Sequence, residues 1–231
     1  MEKYINNNIF REYDIRGIVE DDFNDSLVVD IGKAYGTILI KNNFTKVSVS
    51  GDIRNTTPRL KKNIIKGIIS TGIDVYDLGI LPTPANYYSL FKTKIKNSIQ
   101  ITGSHNPSDY NGFKISYNQK PFYGESIQRL KKIIEKQAFI ESNQFGKTLK
   151  VDILNQYSEY LISLFQFNSN NIKVSMDCGN ASACLTAPEI YKKLGVKVKQ
   201  LFCDVDSSFP NHHPDPTVDS NLTELIENVL K

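Results

Sequence analysis

Apolar residues recur at helical spacing in several stretches of the chain. Residues 26–40 carry them every three to four positions, after a serine that can cap a helix. Thr57-Pro58 and Thr83-Pro84 each place a proline at the first turn of a further predicted helix. The buried faces predicted for the helices are formed by Leu27, Ile31, Ala34, Tyr35, Ile38, Leu39, Leu60, Ile64, Ile65, Ile68, Ile69, Ile127, Leu130, Ile133 and Ile134.

Short strand-like segments lie between these helices. They cover residues 47–50, 75–78, 98–101 and 113–117, and the last of these alternates apolar and polar side chains. Strands that alternate with helices along a chain are typical of a sheet covered by helices. The sequence therefore predicts an α/β fold with mixed, mostly parallel sheets flanked by helices.

A polar stretch at residues 140–150 indicates a domain boundary near Lys150. We expect one domain at residues 1–150 and a second at residues 151–231. The second begins with a predicted helix from Asp152, continues with strands at 172–176 and 196–199, and ends with a helix at 222–230. The same strand and helix alternation thus restarts after the boundary.

Composition narrows the classes of partner. The chain has 231 residues with 28 basic and 25 acidic side chains, so its net charge of +3 gives no overall case for nucleic acid or an anionic membrane. The three cysteines lack Cys-x-x-Cys spacing, which argues against a disulfide framework and a structural zinc site. We find no secretion signal and no apolar run long enough to cross a bilayer, and expect a cytoplasmic protein.

The strongest candidate site is the segment 102–114, Thr-Gly-Ser-His-Asn-Pro-Ser-Asp-Tyr-Asn-Gly-Phe-Lys. It follows a predicted strand, and open α/β sheets bind ligands at the carboxyl ends of their strands. Ser104 can carry a phosphoryl group, and His105, Asn106 and Lys114 can hold its charge. Gly103 is expected to let a phosphate or substrate come close. A plain polar turn is the alternative for the Ser-His-Asn-Pro tetrapeptide alone.

The segment 102–114 and several other motifs along the chain resemble those of one protein family. The segment resembles the phosphoserine loop of the α-D-phosphohexomutases, specifically the bacterial phosphomannomutase/phosphoglucomutase branch. The other motifs that resemble this family, in the same order along the chain, are residues 10–17 (Phe-Arg-Glu-Tyr-Asp-Ile-Arg-Gly), 81–84 (Leu-Pro-Thr-Pro), 177–180 (Asp-Cys-Gly-Asn) and 209–216 (Phe-Pro-Asn-His-His-Pro-Asp-Pro).

The resemblance implies an enzyme that interconverts hexose 1-phosphate and hexose 6-phosphate. Phosphorylated Ser104 would donate to a sugar hydroxyl, and the bisphosphorylated intermediate would turn and return its other phosphate. His105 and Lys114 are the further catalytic candidates. Tyr13, Arg16 and Asn106 are the substrate-binding candidates, and Arg16 suits bidentate phosphate recognition. For Arg16, a structural ion pair with a carboxylate is the alternative.

The same resemblance implies Mg²⁺, held by three aspartates and the phosphate of Ser104, with a hexose 1,6-bisphosphate as activator. The Asp-Gly-Asp-Gly-Asp-Arg metal loop of the family does not occur in these 231 residues. We therefore expect an N-terminal fragment, with a first phosphohexomutase-type domain and an incomplete second one, that has little or no turnover by itself. Alternatives are a noncatalytic phosphosugar-binding module and a phosphoglucosamine mutase.

Other residues that could carry chemistry have structural interpretations as well. Asp52 and Arg54 suit hydrogen-bonded packing as well as active-site support. His212, His213 and Asp215 are interpreted as part of a structural loop, because adjacent histidines diverge and no matching ligand pair is evident. Cys178, with no evident histidine partner, is interpreted as a packed thiol. A serine hydrolase is disfavoured, since neither a Gly-x-Ser-x-Gly motif nor a triad is visible.

Overall fold

The computed structural model describes residues 6–167 and 171–230. Within them, the strands are β1 (Ile15–Ile18), β2 (Lys46–Gly51), β3 (Asp74–Ile80), β4 (Ser98–Ile101), β5 (Tyr110–Tyr117), β6 (Lys120–Pro121), β7 (Thr148–Lys150), β8 (Lys173–Asp177) and β9 (Lys197–Leu201). The α-helices are α1 (Val19–Asp22), α2 (Asp25–Lys41), α3 (Thr57–Ile69), α4 (Thr83–Lys92), α5 (Glu125–Glu135), α6 (Leu154–Leu164), α7 (Ala187–Lys193) and α8 (Thr223–Leu230).

Strands β1–β7 form one mixed sheet. Its order is β1-β5-β4-β2-β3-β7, with β6 paired to β5. β2 runs parallel to β3 and β4, and β3 runs parallel to β7, whereas β5 is antiparallel to β1 and β4. A separate parallel pair, β8 and β9, follows in the second half of the chain. The predicted α/β fold class is confirmed.

One face of the large sheet carries the main apolar core. Val47 and Val49 of β2 and Ile99 of β4 are fully buried against residues of α2, α3 and α5. Helices α2 and α3 approach closely because glycines face each other at their crossing. A Cβ at Gly67 would lie 2.1 Å from the Val29 carbonyl oxygen, so a larger residue there would force the two helices apart.

The other face of the sheet is polar beneath α4. Asn86 of α4 donates to Ser50 Oγ at 2.6 Å and accepts from Ser98 Oγ at 2.7 Å. Ser50 Oγ donates in turn to Gln100 Oε1 at 2.5 Å. Because all four side chains are fully buried, each needs these partners, and the network holds β2, β4 and α4 in one arrangement. The carboxyl ends of β2 and β4 are thereby placed side by side.

Two helices in the second half of the chain are less buried than the helices that cover the large sheet. α6 contains no buried residue, and α8 contains none either. The boundary predicted near Lys150 falls at the last residue of β7, which is an edge strand of the large sheet. Across the described part of the chain, no helix combines the length and apolar character that spanning a membrane requires.

Candidate active site

Ser104 lies in the loop that connects β4 to β5. Its φ of +53° is in the left-handed region, which non-glycine residues seldom adopt. Its backbone N–H donates to Thr102 Oγ at 2.9 Å. The side chain is partly buried and lines a cavity of about 670 Å³. A residue kept in a sparsely populated conformation needs strong support from its surroundings.

Arg54, from the loop after β2, supplies much of that support. Its guanidinium donates to the carbonyl oxygens of Ser104 at 3.1 Å, Asn106 at 2.6 Å and Tyr110 at 3.0 Å, and also to that of Pro107. The Arg54 side chain is only 2% exposed. Burial lowers its pKa, and the charge of Asp52 opposes that shift. One delocalised cation therefore ties together four carbonyls of the loop.

Asp52 joins this cation to the sheet and to α3. Its Oδ2 lies 3.3 Å from Arg54 Nε and accepts from the Gly103 N–H at 3.2 Å. Its Oδ1 accepts from Thr57 Oγ at 2.7 Å, at the start of α3. From the sequence, Asp52 and Arg54 had two alternative interpretations, hydrogen-bonded packing and active-site support. They contact the serine loop directly, and both line the cavity.

Gly103 is needed for a reason that the sequence did not predict. A Cβ there would lie 2.4 Å from Arg54 Cζ and 2.7 Å from the Tyr110 carbonyl oxygen. The space that the missing side chain leaves is taken by the guanidinium. The expectation that this glycine lets a phosphate or substrate come close stays a prediction, and the structure adds that the residue is required for Arg54 to reach the loop.

Asp14 pairs with two cations beside the loop. Its Oδ2 accepts from Arg16 Nη2 and lies 3.4 Å from Lys114 Nζ. Arg16 Nη1 donates to the Gly103 carbonyl at 3.2 Å, while Arg16 Nε is buried without a hydrogen-bond partner among the described residues. The structural ion pair considered for Arg16 is thus present. Its role in substrate binding stays a prediction.

The six predicted site residues divide into two groups. Ser104, His105 and Lys114 line the same cavity, and His105 is exposed. The others are not among its described lining residues. Tyr13 is 75% exposed with its ring centroid 6.3 Å from that of Tyr123, and Asn106 Nδ2 donates to the Gly103 carbonyl at 3.0 Å, so that its amide braces the loop.

Tyr87 of α4 is a cavity residue that the sequence did not single out. Burial raises the pKa of its phenol, and the negative charge of Asp14 raises it further. The phenol therefore keeps its proton and can donate a hydrogen bond into the cavity. The Thr83-Pro84 pair in the sequence predicts helix α4. It does not predict which face of that helix is turned to the cavity.

The second half of the chain forms the opposite wall of the cavity. Residues within 177–183, which begin at the last residue of β8, and residues within 209–216 contribute to it. Two contacts join this wall to the loop after β2. Ser207 Oγ donates to Asn55 Oδ1 at 2.7 Å, and the Arg54 guanidinium lies 5.3 Å from the centroid of the Phe209 ring. The cavity therefore lies where the carboxyl ends of strands from both sheets meet.

His212 forms an ion pair on this wall. Its Nε2 lies 2.9 Å from Asp177 Oδ2, and its Nδ1 lies 2.9 Å from the His213 carbonyl oxygen. Both neighbours are acceptors, so both contacts are satisfied only when the ring carries two protons. Partial burial lowers the pKa of His212, but the His213 carbonyl and Asp177 outweigh it, and the pKa is raised overall. The sequence placed His212 in a structural loop and missed this pair.

We expect NMR titration of ¹⁵N-labelled histidine to give His212 a pKa above the usual value near 6.5. His212→Gln would assign the signal, and Asp177→Asn should lower the pKa by removing the ion pair. Because the folded pKa is raised, the stabilisation is fully present below the unfolded value and is lost as the pH rises through the folded one. A His212 pKa at or below 6.5 in the unmodified chain contradicts the assignment.

No group of three or more His, Cys, Asp or Glu side chains able to hold a metal ion occurs within residues 6–167 and 171–230. Of the metal ligands that the resemblance implies, only the phosphate of Ser104 belongs to a residue present here. The described residues thus do not form a metal site by themselves.

Comparison with known proteins agrees with the fold. Family models for phosphoglucomutase/phosphomannomutase alpha/beta/alpha domains I and II match residues 7–141 and 155–231. The chain belongs to the phosphoglucomutase/phosphomannomutase family. The resemblance drawn from the motifs is thereby confirmed.

Individual relatives match nearly all of this chain, but the match covers only about half of their own length. The chain is 40% identical over 221 residues to a phosphomannomutase/phosphoglucomutase of Pseudomonas putida, covering 96% of this chain and 47% of the relative. It is 37% identical over 218 residues to a phosphoglucomutase of Neisseria meningitidis serogroup A, covering 94% and 47%. The chain spans about half the length of the curated relatives it matches.

A solved structure shares the fold. A phosphoglucomutase/phosphomannomutase family protein from Burkholderia thailandensis superposes with a TM-score of 0.92 at 34% identity. The match covers 97% of this chain and 50% of that one. The arrangement of both sheets described above is therefore one that a family member adopts.

Proposed function

We propose that this chain carries the phosphoserine half of a phosphomannomutase/phosphoglucomutase reaction, the interconversion of hexose 1-phosphate and hexose 6-phosphate. The observation that carries the proposal is the position of Ser104 on the cavity wall with Lys114 and His105, in a loop whose carbonyls are held by Arg54. Relatives named for both activities support the same reaction class.

In the proposed step, a sugar hydroxyl attacks the phosphorus on Ser104. The bond between phosphorus and Ser104 Oγ breaks, a new bond to the sugar oxygen forms, and the proton of the sugar hydroxyl passes to a nearby base. His105 and Lys114 are the candidate proton carriers, and Lys114 also offsets charge on the transferring group. The reverse step returns the second phosphate of the bisphosphorylated sugar to Ser104, so the serine is regenerated as a phosphoserine.

The loop geometry suits this role because Arg54 removes freedom from the backbone before any phosphate arrives. Donors and cations that are already in place when charge moves do not have to reorganise, and this preorganisation lowers the barrier to transfer. Arg54 is therefore proposed as a positioning residue. It acts on the phosphate through Ser104 and the loop that carries it.

Magnesium belongs to the proposal only as the ion that the family resemblance implies. Its chemistry, when bound, is to offset the charge of the phosphoryl group. The described residues lack a matching set of ligands. A noncatalytic phosphosugar-binding role is the second candidate, favoured by this same observation.

Phosphate labelling separates these two roles. The chain is incubated with a hexose 1,6-bisphosphate carrying ³²P, with and without Mg²⁺, and digested for peptide mapping. In parallel, amide chemical shifts of the loop are followed while glucose 1-phosphate is added. Ser104→Ala should lose the label, whereas Ser108→Ala, an exposed serine in the same loop, should keep it.

Each result has one meaning for the proposal. Label on Ser104 supports transfer, and shifts in the loop without label support the binding role. Label on another residue rejects Ser104 as the carrier. Neither label nor shifts in the folded chain would reject both functions.

A further inference from the structure

The three cysteines of the chain, which are spread over 26 positions from 178 to 203, meet at the carboxyl ends of β8 and β9. Cys203 Sγ lies 3.3 Å from Cys178 Sγ. Cys184 lies near enough to Cys178 for each thiol to shift the pKa of the other. Cys178 therefore lies beside both other thiols, although the spacing in the sequence predicted no pairing among them.

The parallel pairing of the two strands brings the thiols together. Cys178 directly follows β8, and its N–H donates to the Leu201 carbonyl at 3.2 Å at the end of β9. Phe202 then adopts a φ of +49°, which turns the chain, and Cys203 Sγ lies 3.3 Å from the same Leu201 oxygen. Cys184 lies in a 3-10 turn, Ser182–Leu185, with its sulfur 3.6 Å from the Phe202 carbonyl.

The surroundings give the thiols different reactivity. Cys178 is 6% exposed, whereas Cys184 and Cys203 are partly exposed. The hydrogen bond from Cys178 lowers the pKa of Cys184, and that same bond, followed by burial, raises the pKa of Cys178. The thiolate is the nucleophilic form of cysteine, so Cys184 is the thiol that reacts first, and the protonated Cys178 is held against it.

We propose that these cysteines form a redox site in which peroxide oxidises Cys184 and Cys178 resolves the product as a disulfide, which Cys203 can then take over by exchange. No other part of the described chain brings thiols together, since it has only these three. The proposal is independent of the phosphoryl-transfer function.

The electron balance closes with peroxide as the only oxidant. Cys184 thiolate attacks one peroxide oxygen and becomes a sulfenic acid, and the other oxygen leaves as hydroxide and takes a proton to form water. Cys178 sulfur then attacks the Cys184 sulfur, its proton and the leaving hydroxide form a second water, and a disulfide results. Cys203 can attack Cys178 and release Cys184 as a thiolate with no further oxidation.

The site borders the cavity. Cys178 is one of the cavity-lining residues and follows Asp177, which holds His212. A disulfide at Cys178 therefore replaces a thiol in the cavity wall. The oxidised and reduced chains should be distinguishable through the NMR signal of His212, which serves as a reporter that does not require turnover.

The test is to treat the folded chain with hydrogen peroxide, alkylate the remaining thiols and map the peptides. We expect one free thiol in place of three and one intramolecular disulfide that always includes Cys178, with dithiothreitol restoring all three. Cys178→Ser and Cys178→Ala should abolish the disulfide. Cys203→Ser should still form the Cys178–Cys184 disulfide. Cys184→Ser should form the Cys178–Cys203 disulfide about tenfold more slowly than the unmodified chain is oxidised, because the most reactive thiolate is missing.

Oxidation in urea is the matched control, because an unfolded chain should pair its cysteines without preference for Cys178. Three free thiols after treatment of the folded chain would overturn the proposal. So would a disulfide in either Cys178 variant, or disulfides found only between chains. Urea denaturation of each variant shows whether it is folded, and the unmodified chain decides the outcome even where a variant is not.

Discussion

Replacing Ser104 by alanine should abolish hexose phosphate interconversion by the protein that carries this chain. The alanine removes the oxygen that we propose accepts the phosphoryl group, so we expect kcat to fall by about 10⁴-fold or more. The binding of hexose 1-phosphate should change little, because no cation of the site is removed. A coupled assay of hexose 6-phosphate formation measures turnover, and calorimetric titration with hexose 1-phosphate measures binding.

Ser108→Ala is the matched control for this prediction. It deletes the same atom from an exposed position in the same loop, so it should leave turnover and binding close to those of the unmodified protein. A folded Ser104→Ala variant with unchanged turnover would show that the phosphoryl carrier lies elsewhere. Loss of activity in Ser108→Ala as well would instead point to general damage to the loop.

Arg54→Met should cost about 3–5 kcal/mol in the free energy of unfolding, the range for breaking a buried ion pair by removing one partner. The change leaves the Asp52 carboxylate buried, at 11% side-chain exposure, without its cation. It also leaves four loop carbonyls without their donor. Urea denaturation measures stability, and the loss of backbone restraint at Ser104 should reduce turnover in the same variant.

Arg59→Met is the control, because Arg59 pairs with Glu20 and Asp25 on the surface and exposed ion pairs contribute about 0–1 kcal/mol. Asp52→Asn added to Arg54→Met should recover part of the loss, since it removes the uncompensated charge. If the free energy of unfolding of Arg54→Met lies within about 1 kcal/mol of that of the unmodified chain, other contacts hold the loop. The role of Arg54 as a positioning residue is then rejected.

Local pattern predicted the helices and strands best where burial follows a simple period. The helix expected at residues 26–40 is α2 at Asp25–Lys41, and the one expected from Thr57 is α3. β1 and β7 were not predicted. β1 is four residues long and contains Arg16 and Gly17, and all three residues of β7 are exposed, so neither has an apolar alternation to detect.

In the candidate site too, local sequence predicted some residues, whereas contacts between distant residues were found only in the structure. Ser104, His105 and Lys114 were found because they lie within one short segment with a recognisable motif. The contacts of Arg54 with Ser104 and Asn106 join residues 50 and 52 positions apart. The pairing of His212 with Asp177 joins residues 35 positions apart. Such contacts depend on strand register and loop shape, which no local spacing specifies.

By itself, the sequence determined the α/β class, most of the helices and the segment that carries Ser104, because these depend on local periodicity and on a contiguous motif. The tertiary structure alone decided why Gly103 must be glycine, which cation holds the serine loop, that His212 is an ion-paired residue of the cavity wall and that the three cysteines lie close together. The physical reason is that each of these depends on the distance between groups in separate segments of the chain, and that distance exists only after the sheets have formed and packed.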